Sequence, residues 1–99
     1  MARGRIGIGL MSGTSMDGVD AALCLVEGSG ASARLGLIRF RRTPYPRGLR
    51  ERIRSLAEGG TTAREICRLH FEVGESFARA AERILAGTGL RPDFVGSHG

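Results

Sequence analysis

Apolar and polar positions first alternate along the chain and then recur at helical spacing. Over residues 5–11, Ile6, Ile8 and Leu10 fall on one side and Gly7 and Gly9 on the other. That period of two predicts a strand with one bare face. Residues 19–26 alternate again, with Val19, Ala21, Leu23 and Leu25 set against Asp20, Ala22, Cys24 and Val26. Both sides are mostly apolar, which predicts a central, buried strand. A third strand over 33–42 carries Leu35 and Leu37 on one side and Ile38 and Phe40 on the other. Arginines intrude toward its end, as on an edge strand that turns to solvent. Glu27-Gly28-Ser29-Gly30 supplies a short turn, so the three strands form an antiparallel meander.

The period then changes. Thr43-Pro44-Tyr45-Pro46 breaks the third strand, and Leu49, Ile53, Leu56 and Ala57 follow at helical spacing. They predict a helix over about 46–58, with Pro46 in its first turn and Gly59-Gly60 at its end. Thr62-Ala63-Arg64-Glu65 has the form of a capping box, in which the Thr62 hydroxyl accepts from an N–H of the first turn while Glu65 reaches back. Ile66, Leu69, Val73, Phe77, Ala80 and Ile84 mark the apolar stripe of a second helix over about 62–86, roughly 36 Å long. Gly87-Thr88-Gly89 suits a left-handed helix end. A last short strand over 93–97 follows Pro92. The expected fold is α/β: an antiparallel three-strand meander followed by two helices and a further strand, joined by a crossover.

Ninety-nine residues make one small domain or a piece of a larger one. With 41% hydrophobic and 25% charged residues the composition is that of a globular chain rather than a disordered one. The net charge is +5 and no lysine is present, so every basic residue is an arginine. A basic nucleic-acid-binding domain is therefore one reading. Thirteen of the fifteen arginines are scattered from position 34 to 91, however, and one tyrosine and four phenylalanines offer little on which to stack bases. A solvated face is the simpler explanation. Cys24 and Cys67 belong to no CxxC or Cys/His cluster, which predicts two buried, reduced thiols and no metal site built on them. No apolar run approaches the roughly 18 residues of a membrane span. The basic start leads into a stretch too short and glycine-rich for a signal-peptide core, so the expected location is cytoplasmic.

Candidate chemistry concentrates in residues 9–20, Gly9-Leu10-Met11-Ser12-Gly13-Thr14-Ser15-Met16-Asp17-Gly18-Val19-Asp20. Between two apolar strands lie glycines, hydroxyls and two carboxylates. Small residues at Gly13, Thr14 and Ser15 let the backbone approach a phosphate, and successive N–H groups in a turn form an anion nest. Gly18 would permit a positive φ on the way out. Asp17 and Asp20 would repel a bare phosphate by Coulomb's law. A cation reverses that sign, so Asp17 could hold Mg²⁺ directly or through water; Asp20 could do the same or cap the turn. GxxxxGK[ST] and GxGxxG are both absent. His70, at the border of the long stripe, reads as a partly buried, hydrogen-bonded histidine. His98, between Ser97 and Gly99 at a strand end, is a candidate substrate contact or a simple turn residue. Asp93 reads as a turn residue.

This twelve-residue stretch resembles the signature of the anhydro-N-acetylmuramic acid kinases, members of the actin/Hsp70/sugar-kinase superfamily. Val95-Gly96-Ser97-His98-Gly99 also resembles a family segment, and the long helix with Leu69, Val73, Gly74, Phe77 and Ala80 is similar in its general pattern. The resemblance implies a ribonuclease-H-like, actin-like ATPase half-lobe with residues 1–99 as the N-terminal part of its first lobe. It implies that Gly13, Thr14, Ser15, Met16, Asp17, Gly18, Val19 and Asp20 bind ATP, with Mg²⁺ at Asp17. It implies conversion of 1,6-anhydro-N-acetylmuramic acid, ATP and water to N-acetylmuramic acid 6-phosphate and ADP in cell-wall recycling. The partner is then a small anhydro-amino-sugar, with no membrane and no nucleic acid, and a homodimer is open to the full-length protein. In the family the catalytic aspartate and second lobe lie further on, so this chain would be about the first quarter. Alone it is expected to be marginally stable and without kinase activity. The alternative is a non-catalytic module that binds a phosphate or a partner.

Overall fold

The computed structural model describes residues 4–13, 16–28, 30–59 and 62–98. Alternation produces the strands that it predicts. β1 (Arg5–Met11) pairs antiparallel with β2 (Gly18–Glu27), which pairs antiparallel with β3 (Arg34–Pro44). β4 (Phe94–His98) adds parallel to the free side of β1, giving the sheet order β3-β2-β1-β4. Between β3 and β4 run α1 (Leu49–Ala57) and α2 (Ala63–Leu85). A meander, a helical crossover and a parallel fourth strand beside the first make the ribonuclease-H-like half-lobe of the actin-like ATPases. Asp93 secures the join: its N–H donates to the Ile6 carbonyl at 2.7 Å and its carboxylate accepts from the Ile6 N–H at 2.7 Å.

The core lies on one face of the sheet. Ile8, Leu10, Val19, Ala21 and Leu23 pack there against Ala80 and Ile84 of α2. The α2 stripe is covered unevenly: Leu69, Ala80 and Ile84 are buried, whereas Ile66, near its start, is 48% exposed. Arg39 on β3 donates to the carbonyls of Ile84 at 3.4 Å and Ala86 at 2.8 Å, placing a cation at the negative end of the helix. Gly87 and Gly89 take the left-handed conformation expected at that end.

Several local expectations need correction. β3 does not keep a period of two, because a bulge between its pairings to Leu23 and Cys24 leaves Ile38 unpaired. The extra residue brings Leu35 and Leu37 to the same open face as Phe40 rather than opposite it. All three are strongly exposed, and the second side of β2 (Asp20, Ala22, Cys24 and Val26) is only half-buried. α1 starts at Leu49, not near Pro46, because Gly48 precedes it in the left-handed region at φ 85°. Thr62 does cap α2, accepting from the Glu65 N–H at 3.2 Å. The Glu65 side chain does not reach back, since it binds Arg52 at 2.8 Å. Neither thiol is fully buried: Cys24 is half-buried, Cys67 is exposed, and both are free.

Among the helices and strands, α1 packs on α2. Arg52 holds it there, with Glu65 on one side and both oxygens of Glu72 on the other. Hydrogen bonding to Arg52 lowers the Glu72 carboxyl below its ordinary 4.5, and the Arg52 guanidinium is raised in turn. A lowered carboxylate stabilises the fold above its unfolded pKa and ceases to do so as pH falls through its folded value. Docking of α1 should therefore weaken on acidification through and below the ordinary carboxylate range. Urea unfolding from about pH 3 to about pH 7 checks this. In Arg52→Leu the acid branch should flatten; an unchanged branch would show that the pair contributes nothing.

Candidate functional site

The glycine-rich stretch leaves β1 and enters β2 as a turn, fixed at its base by four contacts. The Ser12 N–H donates to the His98 carbonyl at 3.1 Å, which ties it to the end of β4. The Tyr45 hydroxyl donates to Ser12 Oγ at 2.7 Å, and the Tyr45 N–H donates to the Asp17 carbonyl at 2.9 Å. The Met16 N–H donates to the Gly13 carbonyl at 3.0 Å, closing a four-residue turn. Thr14 and Ser15, the two hydroxyls predicted to meet a phosphate, lie outside the described residues.

The glycines divide by role. A Cβ on Gly18 would strike the Thr43 carbonyl oxygen and come within 2.8 Å of Pro44 Cα. Gly18 is therefore required by the close approach of β3, and its φ is not positive. The positive φ falls instead on Met16, at 54°. A non-glycine residue there is uncommon and marks a constrained turn. A Cβ on Gly13 would meet nothing within 4 Å.

Both carboxylates have arginine partners. Asp20 projects on the open face of the sheet, where Arg42 binds both its oxygens at 2.7 and 3.2 Å. That bond holds its carboxyl below the ordinary 3.8. Among the described residues the Asp20 carboxylate is thus engaged by Arg42 and not by a backbone N–H of the turn. Asp17 sits at the turn itself, half-exposed, with Arg50 of α1 at 3.4 Å. Among the described residues no cluster of three or more metal-ligating side chains occurs. One accessible carboxylate still fits Mg²⁺, which keeps several waters and takes one or two carboxylates beside phosphate oxygens. The side chain of Val19 is wholly buried in the core, so it can serve a ligand only through its backbone.

Beside the turn, between α1 and α2, opens a cleft of about 660 Å³. Ile53, Leu56, Leu69, Val73 and Phe77 make its apolar side; Ser12, Gly13, Met16 and Tyr45 make the side formed by the turn. It lies at the carboxyl ends of β1 and β4, where open α/β sheets bind ligands. His70 lines this cleft and is exposed, contrary to its expected burial; its ring stands edge-on to Phe71. The His98 side chain is elsewhere, in a shallow hollow of about 520 Å³ on the open face with Gly9, Ala22, Phe40 and Gly96.

Comparison with known proteins decides the family. The model of the anhydro-N-acetylmuramic acid kinases matches residues 5–99. The chain belongs to the anhydro-N-acetylmuramic acid kinase family. It is 41% identical over 99 residues to the kinase of that name from Caldanaerobacter subterraneus subsp. tengcongensis, covering 96% of this chain and 25% of that protein. The Synechocystis sp. kinase of that name is 43% identical over 94 residues, covering 93% and 24%. That of Francisella tularensis subsp. novicida is 38% identical over 96 residues, covering 93% and 25%. The chain thus spans about a quarter of the length of these relatives. No helix among the described residues is long and apolar enough to cross a membrane.

Within this kinase-family chain, Gly13 and Met16 line the cleft and Asp17 follows them in the turn beside Arg50, whereas Asp20 and the His98 imidazole face the other side of the sheet. Sequence reasoning missed Tyr45 and Arg50. A tyrosine between two prolines combines a fixed backbone with an apolar ring and a polar tip, and that was the signal available for Tyr45. Arg50 carried none, being one of several arginines on a predicted helix.

Proposed function

We propose that this chain supplies the ATP-phosphate-binding turn of a kinase that acts on 1,6-anhydro-N-acetylmuramic acid in peptidoglycan recycling, a cytoplasmic reaction. Water adds to the anomeric carbon, the bond from that carbon to the bridging oxygen breaks, and that oxygen receives the γ-phosphoryl group of ATP. N-acetylmuramic acid 6-phosphate and ADP are the products. One observation supports the reading above the rest: the family signature is folded as a strand–turn–strand whose turn borders a cleft at the carboxyl ends of β1 and β4.

Residues 13–15 would hold the phosphates through backbone N–H groups and the hydroxyls of Thr14 and Ser15, with Met16 shaping the turn and Asp17 taking Mg²⁺ through one carboxylate oxygen or a bound water. Bound there, the metal neutralises charge on the transferring phosphates. Phosphoryl transfer also needs a group to orient and deprotonate water, a role given to none of the described residues. Residues 1–99 alone should bind nucleotide weakly and turn over nothing.

The electrostatics give a sharp test. Asp17 opposes ATP without metal and favours it with metal. Calorimetric titration of the chain should show ATP binding strengthened about tenfold by Mg²⁺. Asp17→Asn should lose that enhancement while binding metal-free ATP at least as well as the parent chain. Equal Mg²⁺ dependence in both would remove Asp17 from the site.

A further inference from the structure

Tyr45 holds both feet of the turn. Its hydroxyl donates to Ser12 Oγ at 2.7 Å on the β1 side, and its N–H donates to the Asp17 carbonyl at 2.9 Å on the β2 side. Ser12 is tied a second time, by its own N–H, to the His98 carbonyl at 3.1 Å. Between these anchors the Met16 N–H closes the turn on Gly13, where the space beyond the backbone is open. The Tyr45 ring is half-buried against the core and reaches the cleft wall, so its position is set by packing rather than by the turn it supports.

We propose that Tyr45 is a positioning residue for phosphate binding and that Ser12 is the donor it orients, an inference that rests on reading the turn as the phosphate site. With Tyr45 as the hydrogen-bond donor, Ser12 Oγ is occupied as an acceptor and keeps its own proton to give. That proton is directed toward an anion in the cleft, whose wall Ser12 forms. A turn already held in its bound shape loses less conformational freedom when the ligand arrives, which strengthens binding without adding a contact. Tyr45 touches no ligand in this arrangement. It acts through Ser12 and through the Asp17 carbonyl, which also fixes where the Asp17 carboxylate begins.

The test uses the 99-residue chain, with MgATP as the probe followed by amide chemical shifts, and with amide hydrogen exchange read in the absence of nucleotide. Tyr45→Phe keeps the ring and the backbone bond and removes only the hydroxyl. It should weaken MgATP binding about three- to tenfold, the range expected for one hydrogen bond. It should also speed exchange at the Met16 amide while leaving the α2 amides unchanged. Ser12→Ala should weaken binding to a similar degree, Ser12→Thr should restore it, and the double variant Ser12→Ala with Tyr45→Phe should be no weaker than Ser12→Ala alone. Parent-like binding and exchange in Tyr45→Phe, or losses that add in the double variant, would overturn the positioning role. A parent chain that shows no MgATP binding, while Tyr45→Phe still speeds Met16 exchange, would overturn the phosphate reading and leave the anchoring of the turn standing.

Discussion

Gly18→Ala is expected to destabilise the chain by about 2–3 kcal/mol, a large part of what a domain this small possesses. The added methyl has no way to relax. It meets backbone, the Thr43 carbonyl oxygen and Pro44 Cα at 2.8 Å, rather than the end of a flexible side chain. Relief requires β3 to move off β2 where Gly18 pairs with Pro44 and Val19 with Thr43. Thr43 is buried there and Arg83 of α2 donates to its hydroxyl at 3.4 Å, so the displacement also reaches the helix. The thermal midpoint should fall by about 10–20 °C. Gly13→Ala makes the informative contrast. Its methyl would enter open space and its backbone needs no positive φ, so the midpoint should stay where it is. If Gly13 is small because a phosphate must approach the backbone, Gly13→Ala should lower nucleotide affinity alone. Thermal denaturation of the two variants side by side separates a glycine required by the fold from one required by a ligand. Equal midpoints would refute the role given to Gly18.

Local patterns were legible in the sequence, and long-range contacts were not. Alternation in Ile6, Ile8 and Leu10, and in Val19, Ala21 and Leu23, reports burial on one face directly: Ile6 packs against the core and the others form it. Thr62 is recognisable as a helix cap because its partner amide is three residues away. The bulge at Ile38 was hidden, since its cause is the register against β2 and not the composition of β3. The same limit applies to charge. Arg42 and Asp20, Arg50 and Asp17, and Arg52 with Glu65 and Glu72 meet through the tertiary fold. Along the chain they look like evenly spread solvated arginines.

At the candidate site the turn was legible from its small residues and its carboxylates, whereas its support was not. Gly18 was assigned a conformational role that Met16 performs, because a sequence does not show how closely β3 approaches β2. Asp17 and Asp20 looked equivalent by type. The strand period separates them, carrying Asp20 to the open face beside Arg42 while Asp17 stays in the turn before β2 begins. The helix stripe likewise named the residues of α2 but not which would be covered. Its second half packs on the sheet, and its first half lines the cleft with α1.

The largest expected effect on activity comes from joining the chain to the remaining three quarters of a relative. In a chimera, residues 1–99 replace the matching quarter of the Caldanaerobacter relative, to which this chain is 41% identical. The substituted part then provides the turn, Asp17 and the cleft wall, and the remainder provides whatever activates water. Conversion of the isolated chain to this chimera should raise turnover from nothing detectable to a value within about 100-fold of the relative's own, the loss expected from small misplacement across a cleft. The deciding measurement is ADP release by the folded chimera with MgATP and 1,6-anhydro-N-acetylmuramic acid, beside the same chimera carrying Asp17→Asn. The turn assigned here predicts ADP and sugar phosphate in equal amounts from the chimera and a loss of at least about tenfold in the Asp17 variant. A folded chimera that forms no sugar phosphate, or one indifferent to Asp17, would contradict it.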